Sequence, residues 1–462
     1  MSSQSPILVQ AAKFLQEVCF AEIPEDVRVT SKQAILDYIG VAIPGSDQPV
    51  TRNLLNWALK RSWAETSTVI GRSMKLDAEH AALINATAGH ALDFDDTSWA
   101  TIGHPTTVIV PALLGLAEES DVSGEALLVA YVAAVEVTHK IADLMMPDAS
   151  ENGWHTTGIF YSLGSAAGAC KLLGLDQQTT VMALALALSK SSGIRSNFGT
   201  QAKPYHAGMA AKAGLEAVSL ARDGVTASET ALEGADGFIQ CFAGAALAQT
   251  TRESAKPVMF GIGWDIVRRG YAFKKYPNCS GNHPALDVLF ALLAERQIRA
   301  DQVEKIHCGV SLLGPKELVS HRPRSPVEAR FSLEFSIACA LVYGQVTLDQ
   351  FCEDCILDPR VQSLIERISM SVDDDLAKLG FIGTAPVKIW LTLKDGEEIY
   401  LENDLARGNP EKPFSNQEFS DKFRRCTQGL LPEAQAESLL AQLFQLEQVT
   451  SVRELLALTK VC

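Results

Sequence analysis

The stretch IFYSLGSAAGACKLLGL, at residues 159–175, indicates the fold class most directly. Its apolar residues recur with the period of an α-helix, and its many glycine, alanine and serine residues let neighbouring helices approach closely. Similar helical patterns occupy residues 124–146, 181–192 and 204–222, with short polar breaks between them. We therefore expect a compact all-helical domain from the start of the chain to about residue 271.

Three capping boxes mark expected helix starts, because a Ser or Thr followed three residues later by Glu or Gln satisfies two free backbone N–H groups. They occupy residues 30–33, 226–229 and 415–418. The first is expected to open a helix that Pro44 and Gly45 end. Since helical patterning also runs from residue 403 to the C-terminus, we expect both chain ends to build the helical domain.

The character of the sequence changes after Tyr276. The expected strands, which alternate between apolar and polar residues, are 306–312, 387–393 and 399–401, and the expected helices between them are 333–342 and 361–368. Asp395-Gly396 between the last two strands is a strong hairpin signal. Residues 272–402 therefore predict a smaller α+β lid, inserted between 1–271 and 403–462 of a mainly helical protein.

The chain has 462 residues, a formal net charge of −15 at pH 7, 47% hydrophobic and 21% charged residues. Such a composition predicts a globular protein rather than a disordered chain or a coiled coil. The acidic balance argues against nucleic acid, which binds clustered lysine and arginine, and less strongly against an anionic membrane surface. The start MSSQSP lacks a signal-peptide pattern, and no long apolar stretch occurs, so we expect a cytoplasmic protein without a membrane span.

Ten cysteines are scattered between Cys19 and Cys462. In a long chain without a secretion signal, this scatter predicts reduced thiols rather than a disulfide framework. Cys352 and Cys355 form a C-x-x-C pair. The pair fits a metal or redox site or, as the more ordinary interpretation, a helix end with two half-buried thiols.

The most concentrated polar group of the N-terminal half is ALDFDDT, at residues 91–97. If a helix over 86–92 continues, Asp93 and Thr97 lie four residues apart on one helix face. Three carboxylates within four residues repel one another, so they need cationic or hydrogen-bonding partners. A solvated acidic helix end is the more ordinary interpretation, and the nearby His104 is what favours a functional one.

Three predicted helix starts carry a base or a cation. His104 and His155 each precede a helical run, and Lys203 opens the helix that contains Tyr205 and His206. Free N–H groups and the positive end of the helix dipole make such ends binding sites for carboxylates or phosphates. Chance placement explains any one of these junctions, whereas the three together favour a site for a small polyanion.

The segment KKYPNCSGNH, at residues 274–283, is a fourth candidate. Lys275, Cys279 and His283 around a Pro/Gly turn could bring an anion contact, a thiolate or an acid–base imidazole to a cleft between the domains. The same composition is typical of a plain linker, and the residues alone leave both interpretations open.

Together these segments resemble the MmgE/PrpD family, whose members include 2-methylcitrate dehydratase, cis-aconitate decarboxylase and iminodisuccinate epimerase. The matching segments include LDYIG at 36–40, GHALDFDDT at 89–97, GHP at 103–105, GWH at 153–155, NFGT at 197–200, KPYHAGMAAKAG at 203–214, YPNC at 276–279 and EARFS at 328–332. The resemblance covers essentially the whole chain. It implies functional roles for Asp93, Thr97, His104, His155 and Lys203.

The resemblance also implies a homodimer and an active site between a helical domain and an α+β lid, with neither metal nor organic cofactor. At Cys279 the chain departs from the animal cis-aconitate decarboxylases, where a histidine is expected, and residues 312–314 lack the tyrosine of those enzymes. The segments YPNC and GWH look closer to the iminodisuccinate epimerase type.

We therefore expect an enzyme that removes a proton from carbon next to a carboxylate of a small di- or tricarboxylate. Such a proton is weakly acidic, so its removal needs a positioned base and stabilisation of the resulting charge. His155 or His104 is expected to be the base or acid, Lys203 to hold carboxylates, Asp93 to orient one of these groups, and Thr97 to bind substrate.

Further candidates are Cys279 as a lid-side acid and Tyr205, His206, Lys275 and His283 as substrate-binding residues. The activity could be that of a lyase resembling 2-methylcitrate dehydratase or an isomerase resembling iminodisuccinate epimerase, with a cis-aconitate decarboxylase as the alternative. A metal hydrolase using the 93–96 acidic cluster with His104 matches no strong zinc signature, and a non-catalytic carboxylate-binding protein is a further class. Any such site in an acidic protein needs local positive charge, from Lys203 and from Lys274 or Lys275.

Overall fold

The computed structural model describes residues 5–254, 257–380 and 384–461. Residues 1–4, which belong to the segment that lacks a signal-peptide pattern, and Cys462 lie outside the described residues. The protein is mainly helical and has an α+β part, which confirms the predicted fold class. Within the described residues, no helix is both long and apolar enough to cross a membrane.

The helices before residue 270 are α1 Ile7–Glu17, α2 Glu25–Gly45, α3 Pro49–Ala58, α4 Ala78–His90, α5 Thr106–Ser120, α6 Gly124–Ala142, α7 Asp148–Glu151, α8 Thr156–Leu173, α9 Gln177–Ser189, α10 Ala202–Arg222, α11 Phe238–Ala243, α12 Ala245–Glu253 and α13 Asp265–Arg268. Those after it are α14 His283–Glu295, α15 Gly314–Glu317, α16 Pro326–Ala329, α17 Leu333–Tyr343, α18 Glu353–Ile356, α19 Pro359–Ile365, α20 Asp374–Ala377, α21 Asn416–Thr427, α22 Glu433–Phe444 and α23 Val452–Ala457. The strands are β1 Ser67–Thr68, β2 Lys75–Leu76, β3 Thr97–Ser98, β4 Tyr271–Ala272, β5 Val303–Val310, β6 Ile368–Val372, β7 Val387–Leu393 and β8 Glu398–Asn403.

Small side chains let α8 pack closely against its neighbours α5, α6, α9 and α10. A Cβ added to Gly214 of α10 would lie 2.4 Å from the Cβ of Ser165 in α8. At the same contact, Ser165 Oγ donates a hydrogen bond to the carbonyl of Ala211 at 2.8 Å. Larger residues here would push the two helices apart, and with them the helix N-termini that carry His155 and Lys203.

Two of the three predicted capping boxes are wrong. Helix α2 already begins at Glu25, where Glu25 and Asp26 favour a helix start because they face the positive end of its dipole, so residues 30–33 lie inside the helix. Residues 226–229 open no helix, because no apolar run at helical spacing follows them before α11. The box at residues 415–418 is confirmed, with Ser415 capping α21.

A four-stranded sheet forms the core of the α+β part, in the order β6-β5-β7-β8. β5 pairs with β6 in parallel and with β7 antiparallel, and β7 and β8 form the antiparallel hairpin predicted at Asp395-Gly396. Ile389 and Leu391 on one face of β7 are buried, while Trp390 on the other face is 39% exposed. The alternation read from the sequence is therefore the burial pattern of the strand.

The apolar interior consists mainly of two buried clusters. The larger one takes residues from 7–273 and again from 414–456, and the second takes residues from 276–393. Beside them, β3 pairs with β4 so that Thr97 lies opposite Ala272, which ties the acidic segment to the chain just before the second cluster. The domain boundaries at residues 271 and 403 stay a prediction.

Candidate active site

Asp93 lies at the centre of a buried charge cluster. Helix α4 ends at His90, and Asp93 follows in a left-handed backbone conformation with φ of 49°. Lys203 Nζ donates to its carboxylate at 2.5 Å, and Lys274 Nζ lies 3.1 Å from its other oxygen. The predicted helix face shared by Asp93 and Thr97 is wrong, because the chain leaves α4 and Thr97 pairs in β3.

The cations around Asp93 keep it ionised. Burial raises the pKa of Asp93, but the charges of Lys203 and Lys274 outweigh burial and hold the pKa well below its usual range. Burial lowers the pKa of Arg330 to about 10, so this guanidinium is still charged at neutral pH, and it donates to the carbonyl that precedes Asp93 at 3.0 Å. Three buried cations thus surround one aspartate in a protein of net charge −15.

Lys203 is held from both parts of the molecule. It is the second residue of α10, and its Nζ lies 5.0 Å from the ring centroid of Phe198 and 4.7 Å from that of Phe331. Phe198 precedes α10, whereas Phe331 belongs to the α+β part. Cation–π attraction therefore adds to the Asp93 pair in fixing the ammonium.

Asp95 orients two imidazoles. His90 Nδ1 lies 2.9 Å from Asp95 Oδ2, and His104 Nδ1 lies 3.3 Å from the same oxygen and 2.8 Å from the carbonyl of Asp96. Because these partners only accept hydrogen bonds, each Nδ1 carries the proton and each Nε2 keeps a lone pair. His104 directly precedes Pro105, the N-cap of α5.

His155 and His206 form a second imidazole pair. His155 is the N-cap of α8, and its Nδ1 lies 3.0 Å from Nδ1 of His206 in α10, so the two rings share one proton. Among the described residues, the buried Nε2 of His155 has no hydrogen-bond partner. When His155 donates its Nδ1 proton to His206, this Nε2 carries a free lone pair, as a general base requires.

Burial keeps these imidazoles neutral. It lowers the pKa of His90 to about 4, with Lys203 adding to the shift, and that of His206 to about 4, with His90 and Lys203 adding. Burial and then Lys203 hold the pKa of His155 well below its usual range, and burial also lowers that of His104. At neutral pH the cluster therefore offers unprotonated bases beside charged ammonium groups.

A cavity of about 30 Å³ opens beside this cluster, lined among others by His90, Asp93, Lys203, Arg330 and Phe331. This volume holds one or two water molecules. The cavity thus has Lys203 of α10 on one side and Arg330 and Phe331 of the α+β part on the other.

The α+β side brings a thiol and a further carboxyl to the same region. Cys279 Sγ donates to Glu317 Oε2 at 3.9 Å, and Thr97 Oγ1 lies 3.3 Å from Ser280 Oγ. Burial raises the pKa of Cys279 well above its usual value, and the charge of Glu317 raises it further. Cys279 is therefore a neutral thiol at rest.

Two predicted site residues are not brought to the cluster. Lys275 is partly exposed and pairs with Asp287 at 3.2 Å, and Tyr205 is 37% exposed on α10. His283 is buried with its Nε2 3.3 Å from the carbonyl of Asn278, and burial lowers its pKa to about 3, with the charge of Lys274 lowering it further. The cationic contact expected from the 274–283 segment comes from Lys274 instead.

Family models place the chain among known proteins. The model of the MmgE/PrpD N-terminal domain matches residues 9–250, and the model of the MmgE/PrpD C-terminal domain matches residues 276–446. The chain belongs to the MmgE/PrpD family. The resemblance expected from the sequence is thereby confirmed.

Its similar relatives within the MmgE/PrpD family include cis-aconitate decarboxylase of Homo sapiens, 31% identical over 445 residues, which are 93% of this chain and 89% of the relative. The cis-aconitate decarboxylase of Mus musculus is 30% identical over 444 residues, 93% of this chain and 88% of the relative. A mitochondrial 2-methylcitrate dehydratase of Yarrowia lipolytica is 27% identical over 118 residues, 24% of this chain and 22% of the relative.

Some residues of this MmgE/PrpD site had no role in the sequence analysis. His90 and Arg330 belong to the matching segments GHALDFDDT and EARFS, so their position in these segments was a usable signal. Glu317 lies at the end of the short helix α15, and no local pattern marks it.

The metal interpretation has a geometric counterpart in this MmgE/PrpD chain. Within the described ranges, His90, Asp95 and His104 each offer one ligand atom, and these atoms lie within 4.8 Å of one another. Asp95 Oδ2 already pairs with both Nδ1 groups, at 2.9 Å from His90 and 3.3 Å from His104. A metal ion that bound Asp95 would therefore compete with two existing charge-assisted contacts.

The C-x-x-C pair lies outside this site. Cys352 is exposed at the N-cap of α18, and Cys355 Sγ donates to the carbonyl of Asp349 at 3.9 Å. The more ordinary interpretation, thiols at a helix end, describes this geometry.

Proposed function

We propose that this protein is a lyase that acts on a small di- or tricarboxylate by building negative charge on carbon next to a carboxylate. The observation that carries the proposal is the buried Asp93, with ammonium partners Lys203 and Lys274, beside unprotonated imidazoles. The similarity to cis-aconitate decarboxylases over 93% of the chain supports the substrate class.

The cluster supplies the two things that such a step needs. A proton next to a carboxylate leaves only to a positioned base, and His155 Nε2 is buried with an unused lone pair when its Nδ1–H donates a hydrogen bond to His206. The negative charge that develops is stabilised by Lys203 and by the N-termini of α8 and α10, whose fixed dipoles require little reorganisation. Asp93 keeps Lys203 in place, and Thr97 is a hydrogen-bond donor toward substrate.

The way in which the carbanion forms and its fate together decide the reaction. After proton removal, loss of a β-hydroxyl makes the protein a dehydratase, and return of the proton to the opposite face makes it an isomerase. A decarboxylase instead forms the carbanion by loss of CO₂ and then protonates it, and the relatives that match 93% of the chain favour this candidate. In each case Cys279, a neutral thiol on the α+β side, can serve as the acid. The homodimer and the cytoplasmic location stay predictions.

Incubation with cis-aconitate, 2-methylcitrate and aspartate-like dicarboxylates in D₂O, followed by ¹H NMR, tests the proposal. A new alkene with loss of water identifies a dehydratase, and release of CO₂ identifies a decarboxylase. Deuterium uptake without net conversion identifies an isomerase and contradicts the lyase. Binding in a thermal-shift assay without any exchange identifies a non-catalytic carboxylate-binding protein.

The site assignment is tested by a matched pair of variants. His155→Gln removes the proposed base and should lower kcat about 10²–10⁴-fold. His80→Gln alters another buried histidine, which pairs with Asp77 at 2.8 Å outside the cluster, and should leave kcat unchanged. Equal activity of the two variants would show that His155 is not the base.

A further inference from the structure

Cys279 and Glu317 form a side-chain pair, and the proposed function assigns a role only to Cys279. Cys279 follows Pro277 and Asn278 at the entry to the α+β part, and Glu317 ends α15. Their side chains meet at 3.9 Å between Sγ and Oε2. Cys279 is buried, whereas Glu317 is half-buried.

Burial and neighbouring charges shift the pKa of the Glu317 carboxyl. The charged and titratable groups that act on it are Cys279, Lys203, Asp93, Lys274 and Arg195. Burial raises the pKa of Glu317 to about 7, against the opposing effect of Lys203. A carboxyl with this pKa exchanges protons in both directions at neutral pH, which an ordinary glutamate does not.

A lone buried thiol is a poor proton shuttle. With its pKa raised by burial, Cys279 can give its proton to a carbanion, but the thiolate left behind is unstable next to an ionised Glu317. A protonated Glu317 at 3.9 Å removes this difficulty, because it returns a proton to sulfur. The two groups are therefore chemically complementary.

We propose that Glu317 is the proton partner of Cys279, and that the two side chains form a relay in which Cys279 exchanges a proton with the substrate carbon and Glu317 exchanges one with solvent. The inference rests on the proposed function, since it needs a carbanion to protonate. Glu317 acts through Cys279 and is a positioning residue, while Cys279 is the group that meets the substrate.

The relay balances without a redox step. As the new C–H bond forms, the S–H bond of Cys279 breaks and leaves a thiolate. The O–H bond of protonated Glu317 then breaks as the S–H bond re-forms, and the Glu317 carboxylate takes a proton from water. In the direction of proton abstraction the same bonds form and break in reverse order.

The first test is the pH profile of kcat for the wild-type protein, Glu317→Gln, Glu317→Asp and Cys279→Ser. As an acid, the relay needs protonated Glu317, so the wild-type kcat should fall as pH rises through about 7. Glu317→Gln should lower kcat by about 10²-fold, the lower end of the usual range for an acid–base group, and abolish this limb with little change in KM. Glu317→Asp should restore the limb.

Two further comparisons separate a relay from a structural role. Cys279→Ser should also lose the limb, and adding Glu317→Gln to it should cost little more, because the two residues act as one unit. The matched controls are Glu397→Gln, which breaks an exposed pair with Arg296, and Cys308→Ser, which changes a buried thiol of β5. Both should keep the wild-type profile. A Glu317→Gln variant that keeps the limb, or losses that multiply in the double variant, would overturn the relay.

A readout without turnover distinguishes this proposal from the function on which it rests. In ¹³C NMR of protein labelled at the glutamate side-chain carboxyl, the Glu317 signal should titrate near pH 7 and vanish in Glu317→Gln, whereas the signal of Glu136, whose pKa burial also raises to about 7, should remain. A Glu317 signal that titrates with ordinary carboxyls overturns the relay. If that signal titrates near 7 but the wild-type protein neither converts nor exchanges any carboxylate, the proposed function fails and the relay with it. If the wild-type protein turns over substrate and Glu317→Gln keeps the wild-type pH profile, the relay is wrong but the proposed function stands.

Discussion

Asp93 and Asp37 are both buried aspartates that pair with lysine, and they differ in the number of lysines that contact them. Asp93 has Lys203 at 2.5 Å and Lys274 at 3.1 Å, whereas Asp37 of α2 has Lys422 of α21 at 2.7 Å. The pKa of Asp93 is held well below its usual range. That of Asp37 is raised, because burial outweighs the attraction of Lys422.

This difference in the number of lysines leads us to expect a catalytic role for the Asp93 pair and a structural role for the Asp37 pair. Two ammonium groups on one carboxylate leave positive charge that a substrate carboxylate can use, while the Asp37–Lys422 pair has no excess. Lys422 instead donates a hydrogen bond to the carbonyl of Phe94 at 2.8 Å, and its Nζ lies 4.0 Å from the ring centroid of Phe94. These two contacts fix the position of the acidic segment. We therefore expect the Asp93 pair to take part in chemistry and the Asp37 pair to position the segment.

Removing Lys203 should give the largest effect. Lys203→Met takes away the ammonium that stabilises developing charge, which we expect to lower kcat/KM about 10²–10³-fold. Asp93 keeps Lys274 and the nearby Arg330, so the thermal unfolding temperature should change little. Steady-state kinetics and calorimetry measure the two quantities. A variant with full activity would show that the excess cation is not used in catalysis.

The helix starts of this site were predictable, whereas its cross-domain contacts were not. The positions of His155 and Lys203 could be predicted because proline and polar residues mark helix N-termini within a few positions of sequence. Asp93 and Thr97 were placed wrongly because the end of α4 is set by pairing of β3 with residues 271–272, far along the chain. Glu317 meets Cys279 across 38 residues, and such a contact leaves no local pattern.

Removing Lys422 should affect stability instead of chemistry. Lys422→Met leaves Asp37 without a partner in the interior, which should lower the free energy of unfolding by about 3 kcal/mol at pH 7. The loss should become smaller as the pH is lowered from 7, because Asp37 with its raised pKa takes up a proton on acidification. Urea unfolding at a series of pH values measures the difference.

The double variant Asp37→Asn with Lys422→Met is the control for this prediction. It removes both charges and should recover most of the lost stability, as is typical when a whole buried pair is replaced. If the double variant is no more stable than Lys422→Met, the contact of Lys422 with Phe94 supplies the stability. If Lys422→Met instead loses activity as Lys203→Met does, the contrast between the two pairs is wrong.

Acidification should affect the two regions with opposite sign. His90 and His206 have pKa values of about 4 in the native protein against an ordinary value near 6.5, so between these values the unfolded chain binds more protons. Stability should therefore fall as pH falls from 6.5 to 4, by up to about 1.4 kcal/mol per pH unit for each histidine. Denaturant unfolding across this range measures the slope.

Single variants assign this slope to its sources. His206→Asn should flatten the curve, since it removes one of the groups whose pKa is lowered. Asp37→Asn should steepen it, because the native protein with its raised Asp37 pKa takes up a proton before the unfolded chain does and so gains stability on acidification. A slope that neither variant changes would mean that other groups dominate the pH dependence.

Removal of metal ions by chelation should have no effect on activity. A metal ion at His90, Asp95 and His104 would be the other source of positive charge beside Asp93, and it would compete with both Nδ1 groups for Asp95. Because Lys203 and Lys274 already supply that charge, exhaustive dialysis against EDTA should leave kcat unchanged, with no stoichiometric metal in elemental analysis. Loss of activity that Zn²⁺ or Mn²⁺ restores would transfer the electrostatic role from the lysines to the metal.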